Sequence, residues 1–342
     1  MKKVNIKTVA ALSGYSVSTV SKALNGTDRV GKEAKEKIKK IASTIGYQSN
    51  FSAQSLARKT RIISIILFDS PNEVRSLFEI GFNSAFDLYG EFGMEPIFYF
   101  YNQKNRNSYD LLPWDEIYSQ SDAVILIPGG IYENHTEILN KIGRKIPLVI
   151  LQSKLSDKPQ IIHTCDVTVN AGVVGAMAAQ YIGVSIKEGD TAIITGYKNG
   201  WIHSENISGF LSSAQSFKLN NVAIEESFDD MEKAYNCTNL ILSKFPSVKG
   251  IFVTSYVSPA VCKAVYEKGR DIKIVGVDLF KESSKCLKTG TLSAVIFQNQ
   301  KKQAELAIEV VANIFRGSTT SKEIYVKPEL VLKSNMCCYG ID

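Results

Sequence analysis

Apolar residues recur at helical spacing through residues 1–46 and then, beyond Arg61, gather into short unbroken runs. Ile6, Val9, Ala10 and Leu12 predict a first short helix that ends at Ser13, with Gly14-Tyr15 breaking the run as a tight turn. Ser16 follows as an N-cap, Val20 and Leu24 share one face of a second helix, and Asn25-Gly26 closes it with residues that tolerate a left-handed backbone. So brief a turn makes the second helix cross the first and present its outer face. In a third helix Ala34, Ile38, Ile41, Ala42 and Ile45 form the buried stripe, and Lys32, Lys35, Lys37, Lys39 and Lys40 crowd the remaining surface.

After Arg61 the runs IISIILF (62–68), EPIFYFYN (95–102), AVILIPGG (123–130), PLVILQS (147–153), DTAIITG (190–196), GIFVTS (250–255) and IKIVGVD (272–278) alternate with amphipathic stretches such as VRSLFEIGFNSAFDLYG. Near-continuous apolar strands separated by helices predict parallel sheet covered on both faces. So many strands are more economical as two doubly wound lobes than as one sheet, and such folds bind ligands beyond the carboxyl ends of strands. The expected fold is a small all-α helix-turn-helix domain followed by a two-lobed α/β body.

Charge separates the same two regions. Residues 1–61 hold 13 Lys and Arg against 3 Asp and Glu, a balance of +10, whereas the remainder holds 27 against 31, a balance of −4. A compact basic module on an acidic body is the footprint of phosphate-backbone binding. No long apolar stretch predicts a membrane span, and no signal segment opens the chain, so the cytoplasm is the expected location. Six scattered cysteines lack metal-ligand spacing and read as reduced thiols, with a redox switch at the vicinal Cys337-Cys338 pair as the alternative. His135, His163 and His203 are not paired at metal spacing, and no phosphate-cradling glycine loop follows the first strand. Neither an enzyme, a metal site nor a cofactor is expected.

The outer face of the second helix carries Val17, Ser18, Ser21 and Lys22, with Thr19 near its start and Asn25 at its end. Lys22 can donate to guanine O6 or N7, Ser18 can bond to base edges, and Val17 can touch a thymine methyl. A polar solvated face is the competing reading. Beyond Gly46, the stretch SAQSLARK is too short to be a stable helix alone, and its Leu56, flanked by Ala53 and Ala57, suits a wedge between minor-groove base steps, the competing reading being a plain linker.

The segments IKTVAALSGYSVSTVSKALNG and GYQSNFSAQSLA resemble the start of a LacI-type transcriptional regulator in order and spacing across the first 61 residues. The resemblance implies base contacts by Val17, Ser18 and Lys22, a DNA-binding set extended by Thr19, Ser21, Asn25, Asn50, Ala53 and Ala57, and insertion of Leu56 at the centre of a palindromic operator. Gly31 departs from the serine that usually opens the third helix, though glycine is a tolerable N-cap. The implied divisions are a DNA-binding domain at 1–46, a hinge at 47–60 and an effector-binding and dimerisation body at 61–342. Within the body the N-lobe is expected at about 61–163 and 299–328, and the C-lobe at about 164–298 and 329–342.

Strand ends supply groups suited to a polyhydroxylated ligand: Asp69, Ser70 and Asn72 after the first run, Tyr197, Lys198 and Trp201 after AIITG, Asp278 after IVGV, and Gln298 after SAVIF. Packing is the alternative for Trp201 and helix capping for Asp278. The body resembles a type I periplasmic sugar-binding protein through DVTVNAGVVGAMAAQYI, NISGF and GVDLFKESSKCLKTGTLSAVIFQNQ. From that resemblance Asp278 is expected to bond ligand hydroxyls. Two family anchors are missing, since the effector-gripping arginine falls on Asn206 and the usual Asn-Asp falls on Thr254-Ser255. Without a bidentate arginine an anionic ligand loses its partner, so a neutral ligand is expected, touched by Asn206, Ser255, Asp278 and Trp201.

The reading is therefore a DNA-binding regulator, acting as a repressor on a double-stranded pseudo-palindromic operator as a homodimer, under control of a small carbohydrate effector. A transport sugar-binding protein and a regulator controlled by a protein partner are the alternatives. A sugar-modifying enzyme would need an acid and base pair that the sequence does not display.

Overall fold

The computed structural model describes residues 6–24, 30–45, 60–69, 73–90, 93–102, 105, 107–128, 135–155 and 161–340. Two compact units divide the chain, a head within Met1–Thr60 and a body beginning at Arg61.

The described residues of the head form three helices, α1 (Ile6–Ser13), α2 (Val17–Leu24) and α3 (Lys32–Thr44). Gly14 takes φ +77 and donates its N–H to Ala10 O, ending α1 in a backbone state that few side-chain-bearing residues adopt. Ser16 caps α2 as expected, its Oγ accepting from Thr19 N at 3.1 Å. The core is small, with Val9, Ala10, Val20, Ala23, Ile38 and Ala42 buried and Ile6, Tyr15, Leu24, Ile41 and Ile45 packed around them. Leu12 departs from its expected place in the α1 stripe, lying 56% exposed, because Val9, Ala10 and Ser13 take the inward face of so short a helix.

The described residues of the body form two six-stranded sheets. The first has the order β11-β5-β4-β3-β1-β2, comprising β1 (Arg61–Phe68), β2 (Met94–Tyr101), β3 (Ala123–Leu126), β4 (Leu148–Leu151), β5 (Cys165–Val169) and β11 (Glu323–Val326), all paired in parallel. The second has the order β12-β10-β9-β8-β6-β7, comprising β6 (Gly189–Thr195), β7 (Leu219–Glu226), β8 (Val248–Val253), β9 (Lys273–Val277), β10 (Ala294–Phe297) and β12 (Glu329–Val331). Only its β10–β12 pair is antiparallel.

Both faces of the second sheet are apolar, as continuous runs demand. Ala192 and Ile194 join one core with Ile251 and Val253, while the intervening Ile193 joins the other with Phe252 and Val275. The connections include α4 (Glu73–Tyr89), α5 (Asn107–Asp110), α6 (Trp114–Gln120), α7 (Thr136–Lys145), α8 (Ala171–Ile186), α9 (Trp201–Ala214), α10 (Met231–Lys244), α11 (Ser258–Glu267), α12 (Lys281–Thr289) and α13 (Gln300–Phe315).

The lobe boundary expected at 164 falls one strand early. Cys165–Val169 pairs with β4 and β11 in the first sheet, so the chain changes sheet only at Asn170, which caps α8 by accepting from Val173 N. The buried polar residues Asp166 and Thr168 interrupt this strand's apolar run and hide it from a hydropathy reading. Two further passages between sheets run through 298–300 and 327–328.

Helices α8 and α9 approach closely enough to require glycine. A Cβ on Gly175 would collide with Asn206 O, and one on Gly209 with Gly172 O. That packing, with Phe210 stacked on Phe252 at 5.4 Å, fixes α9 against the second sheet and places its first turn beyond the carboxyl end of β6.

Candidate functional site

On the head, the residues expected to read DNA share one accessible surface of α2. Val17, Ser18 and Lys22 are exposed, and Thr19 and Ser21 half-buried, while Val20 and Ala23 turn into the core. Thr19 Oγ1 also lies 2.9 Å from Ser16 Oγ, tying its hydroxyl to the cap. The expected contacts Asn25, Asn50, Ala53, Leu56 and Ala57 lie outside the described residues. Along α3, Lys32, Lys37, Lys39 and Lys40 are exposed, and Lys37 Nζ stands 5.6 Å from the Tyr15 ring centroid.

In the body, the carboxyl ends of both sheets' strands border a cleft with about 750 Å³ of empty space, part of it open to solvent. The first sheet contributes Phe68 at the end of β1, Ile127 after β3, and Gln152 and Ser153 after β4. The second contributes Tyr197 after β6, Trp201 and His203 on α9, Asp229 after β7, Thr254, Ser255 and Tyr256 after β8, Asp278 after β9 and Gln298 after β10. This is where doubly wound sheets bind ligands.

Of the residues expected to hold the effector, the structure brings Tyr197, Trp201, Ser255, Asp278 and Gln298 together here. Asp69 is exposed, paired with Arg75 at 3.2 Å, and not among the lining residues, although its neighbour Phe68 is. Asn206 does not line the cleft either; it is fully buried in α9 at the contact with α8, and neither of its side-chain amide atoms has a hydrogen-bond partner among the described residues. Ser70 and Asn72 lie outside the described residues. Lys198 points elsewhere, its Nζ donating to Ile224 O at 2.9 Å.

Asp278 is the most constrained of these groups. It is 5% exposed, with a left-handed backbone at φ +67, and its Oδ1 accepts from Gln298 Nε2 at 2.9 Å and from Gln300 Nε2. It does not cap the following helix, since α12 begins after Phe280, whose N–H donates to Ser283 Oγ at 2.9 Å. Burial, with a smaller contribution from the Asp229 carboxylate, raises the Asp278 pKa to about 6 against the lowering effect of the two glutamines.

The cleft also holds polar groups that the sequence does not mark as contacts, His203, Asp229 and Tyr256 among them. His203 Nδ1 lies 3.0 Å from Thr254 Oγ1, and its Nε2 lies 4.0 Å from Asp229 Oδ1. Thr254 Oγ1 is in turn 2.7 Å from Thr195 Oγ1, and Tyr256 OH donates to Asp229 O at 2.6 Å. Gly196 makes this arrangement possible, because a Cβ there would run into both Asp229 Oδ1 and His203 Nε2.

Among the described residues no group of three or more His, Cys, Asp or Glu side chains could hold a metal ion, and no helix is long and apolar enough to cross a membrane. The cleft instead offers acceptors. Asp229 Oδ1, Gln298 Oε1 and Ser255 Oγ have no hydrogen-bond partner among the described residues, and Tyr197 and Trp201 supply aromatic faces beside them.

Comparison with known proteins matches each unit separately. Residues 5–50 match the family described as bacterial regulatory proteins, lacI family, and residues 115–319 match the periplasmic binding protein domain. The HTH-type transcriptional regulator MalR of Clostridium butyricum is 24% identical, the alignment covering 98% of this chain and 100% of that protein. The ribose operon repressor of Halalkalibacterium halodurans is 25% identical, with 80% of each chain covered. Among solved structures, a glucose-galactose binding protein from Geobacillus stearothermophilus superposes with a TM-score of 0.74 at 22% identity, covering 81% of this chain and 99% of its own. These relatives are regulators and sugar-binding proteins rather than enzymes.

Proposed function

We propose, since this chain belongs to the lacI family of bacterial regulatory proteins and its body is a periplasmic binding protein domain, that it is a cytoplasmic transcriptional repressor whose hold on a pseudo-palindromic operator is set by a carbohydrate in the cleft. One observation carries the reading: a single chain joins a helix that offers small and basic side chains to solvent with a strand-end cleft in which Asp229 Oδ1, Gln298 Oε1 and Ser255 Oγ have no donor among the described residues.

At the operator, Val17, Ser18 and Lys22 would meet base edges in the major groove, with Thr19, Ser21 and Asn25 at the margins of the contact. A homodimer places two heads on a two-fold axis, and the paired hinge segments insert Leu56 of each chain at the central step, where a flexible pyrimidine-purine step opens most cheaply.

In the body, a polyhydroxylated ligand lacking negative charge would donate to Asp278, Gln298 and Ser255 and lay an apolar face on Trp201 or Tyr197. Because the lining comes from both sheets, ligand contacts favour one arrangement of the sheets over others. The passage at Gln298–Gln300, with Asn299 at φ +51, ties this rearrangement to Asp278 through two hydrogen bonds. Ligand need not touch DNA; its differential affinity for the two arrangements is the coupling free energy.

Selection of duplexes from a random pool by the purified chain tests the DNA half, and enrichment of a two-fold repeated half-site is expected. Recovery of unrelated sequences would refute it. A thermal-shift screen against neutral sugars, polyols, uronates, sugar phosphates and nucleobases tests the other half, with stabilisation expected from a sugar and contradicted by a preference for a uronate.

A further inference from the structure

The charge of the cleft is one-sided. Its described lining contains two carboxylates, Asp229 and Asp278, one histidine, and no lysine or arginine. Cations on the surrounding elements are engaged elsewhere: Lys198 on Ile224 O, Lys233 over the Phe228 ring at 4.6 Å, and Arg75 with Asp69 and Glu79. Asp278 Oδ1 receives two glutamine amides, but among the described residues Asp229 Oδ1 has no hydrogen-bond partner, and His203 stands 4.0 Å from it with its other nitrogen on Thr254. Further acceptors, Ser255 Oγ and Gln298 Oε1, have no partner among the described residues and sit on residues 4% and 2% exposed.

Two carboxylates in one cleft without a lysine or arginine beside them repel each other and favour whatever brings positive charge and N–H donors. Hydroxyls supply donors without charge; an ammonium supplies three donors and the charge together. Aromatic faces at Tyr197, Trp201 and Tyr256 add a surface that attracts cations. We propose that the effector is a polyhydroxylated compound bearing a protonated amine, and that Asp229, acting with Asp278, selects that amine. This rests on the reading of the cleft as the effector site and narrows its ligand class.

The test is calorimetric titration of the full chain at neutral pH with matched probe sets. Each of the gluco, galacto and manno series is presented as free hexose, 2-amino sugar, N-acetylated amino sugar and uronate, with 1-deoxynojirimycin added as a ring amine. The expected result is that an amine member binds at least about tenfold more tightly than its hydroxyl and N-acetyl counterparts, as charge-assisted hydrogen bonds exceed neutral ones. In Asp229→Asn the advantage collapses to about the affinity of the free hexose, and Asp229→Glu restores part of it. The wild-type comparison stands by itself should a variant fold poorly, which circular dichroism would reveal. A free hexose binding as tightly as its amine, or more tightly, in every series overturns the amine proposal and leaves the carbohydrate-responsive regulator intact. No binding by any probe, with operator affinity unmoved by all of them, overturns both.

Discussion

Gln298 donates its side-chain amide to the Asp278 carboxylate at 2.9 Å, joining the end of β10 to the end of β9 at the point where the chain leaves the second sheet. A ligand that takes up Asp278 therefore acts on a residue at the root of the passage between sheets. The same carboxylate is costly to the empty protein. Its folded pKa of about 6 stands above the ordinary 3.8, so the folded state holds a proton that the unfolded state has released. Stability from this group is full below pH 3.8, falls as pH rises through 6, and is absent at pH 7.5. Asp278→Asn, which keeps an acceptor for Gln298 and Gln300, is expected to raise unfolding stability at pH 7.5 by up to roughly 3 kcal/mol and to change it little at pH 4. Urea denaturation at the two pH values measures this, and equal destabilisation at both would show that the carboxylate is not strained.

Ligand binding should carry the opposite pH dependence. The titratable groups that share the cleft lining with Asp278 are Asp229 and His203, and Gln298 and Gln300 hydrogen-bond it directly. A cationic or donor-rich ligand favours the ionised carboxylate, so affinity should rise from pH 5 to pH 7 and level off above it. Titrations in buffers of different ionisation enthalpy would register proton release near pH 6. Affinity that falls over this range would place the ligand's main contact elsewhere.

Lys22→Ala is expected to relax base preference at one position in each half-site, at roughly 1–3 kcal/mol, while binding to other positions keeps its pattern. Competition against a panel of single-base operator variants separates the alternatives. A uniform loss over all sequences, with a shallower salt dependence, would identify a phosphate contact.

Ser16→Ala should weaken the head rather than the body. The lost hydrogen bond to Thr19 N costs about 1 kcal/mol of helix stability. Hydrogen exchange on the full chain should show faster exchange in α2, with β8 and β9 unchanged. Unaltered α2 protection would mean that the core around Val20 and Ala23 holds the helix without its cap.

Gly209→Ala tests the packing behind the site. Its new methyl group would meet the Gly172 backbone and push α9 from α8, costing about 1–3 kcal/mol by overpacking. Because α9 carries Trp201 and His203, ligand affinity should fall along with stability. A stable variant with unimpaired ligand binding would show that α9 can shift without moving its first turn.

Much of this architecture is written in short-range pattern. The head's three helices follow from spacing and from Ser16, and the central strands of the body from runs such as AIIT and GIFV, apolar because both faces are covered. β7 was invisible for the opposite reason. It is an edge strand, half-buried along most of its length, and NNVAIEE carries too many polar residues to read as a run. Missing β7 meant missing Asp229, which follows it. His203 is not paired at metal spacing in the sequence, and because its neighbours Thr254 and Asp229 follow other strands, no local spacing announces their meeting. Asn206 illustrates a different limit: alignment with a ligand-gripping arginine put it in the site, yet its shorter side chain lies buried outside the lining.

The most direct test of the account is fluorescence anisotropy of a labelled, selected operator titrated with the full chain, with and without the sugar that binds the cleft. The account predicts specific binding whose affinity changes at least about fivefold when the sugar is present, as a coupling free energy of 1 kcal/mol or more requires, and no such change in Asp278→Asn. A sugar that occupies the cleft and leaves operator affinity untouched, or a wild-type chain that binds no sequence above the nonspecific background, would contradict it.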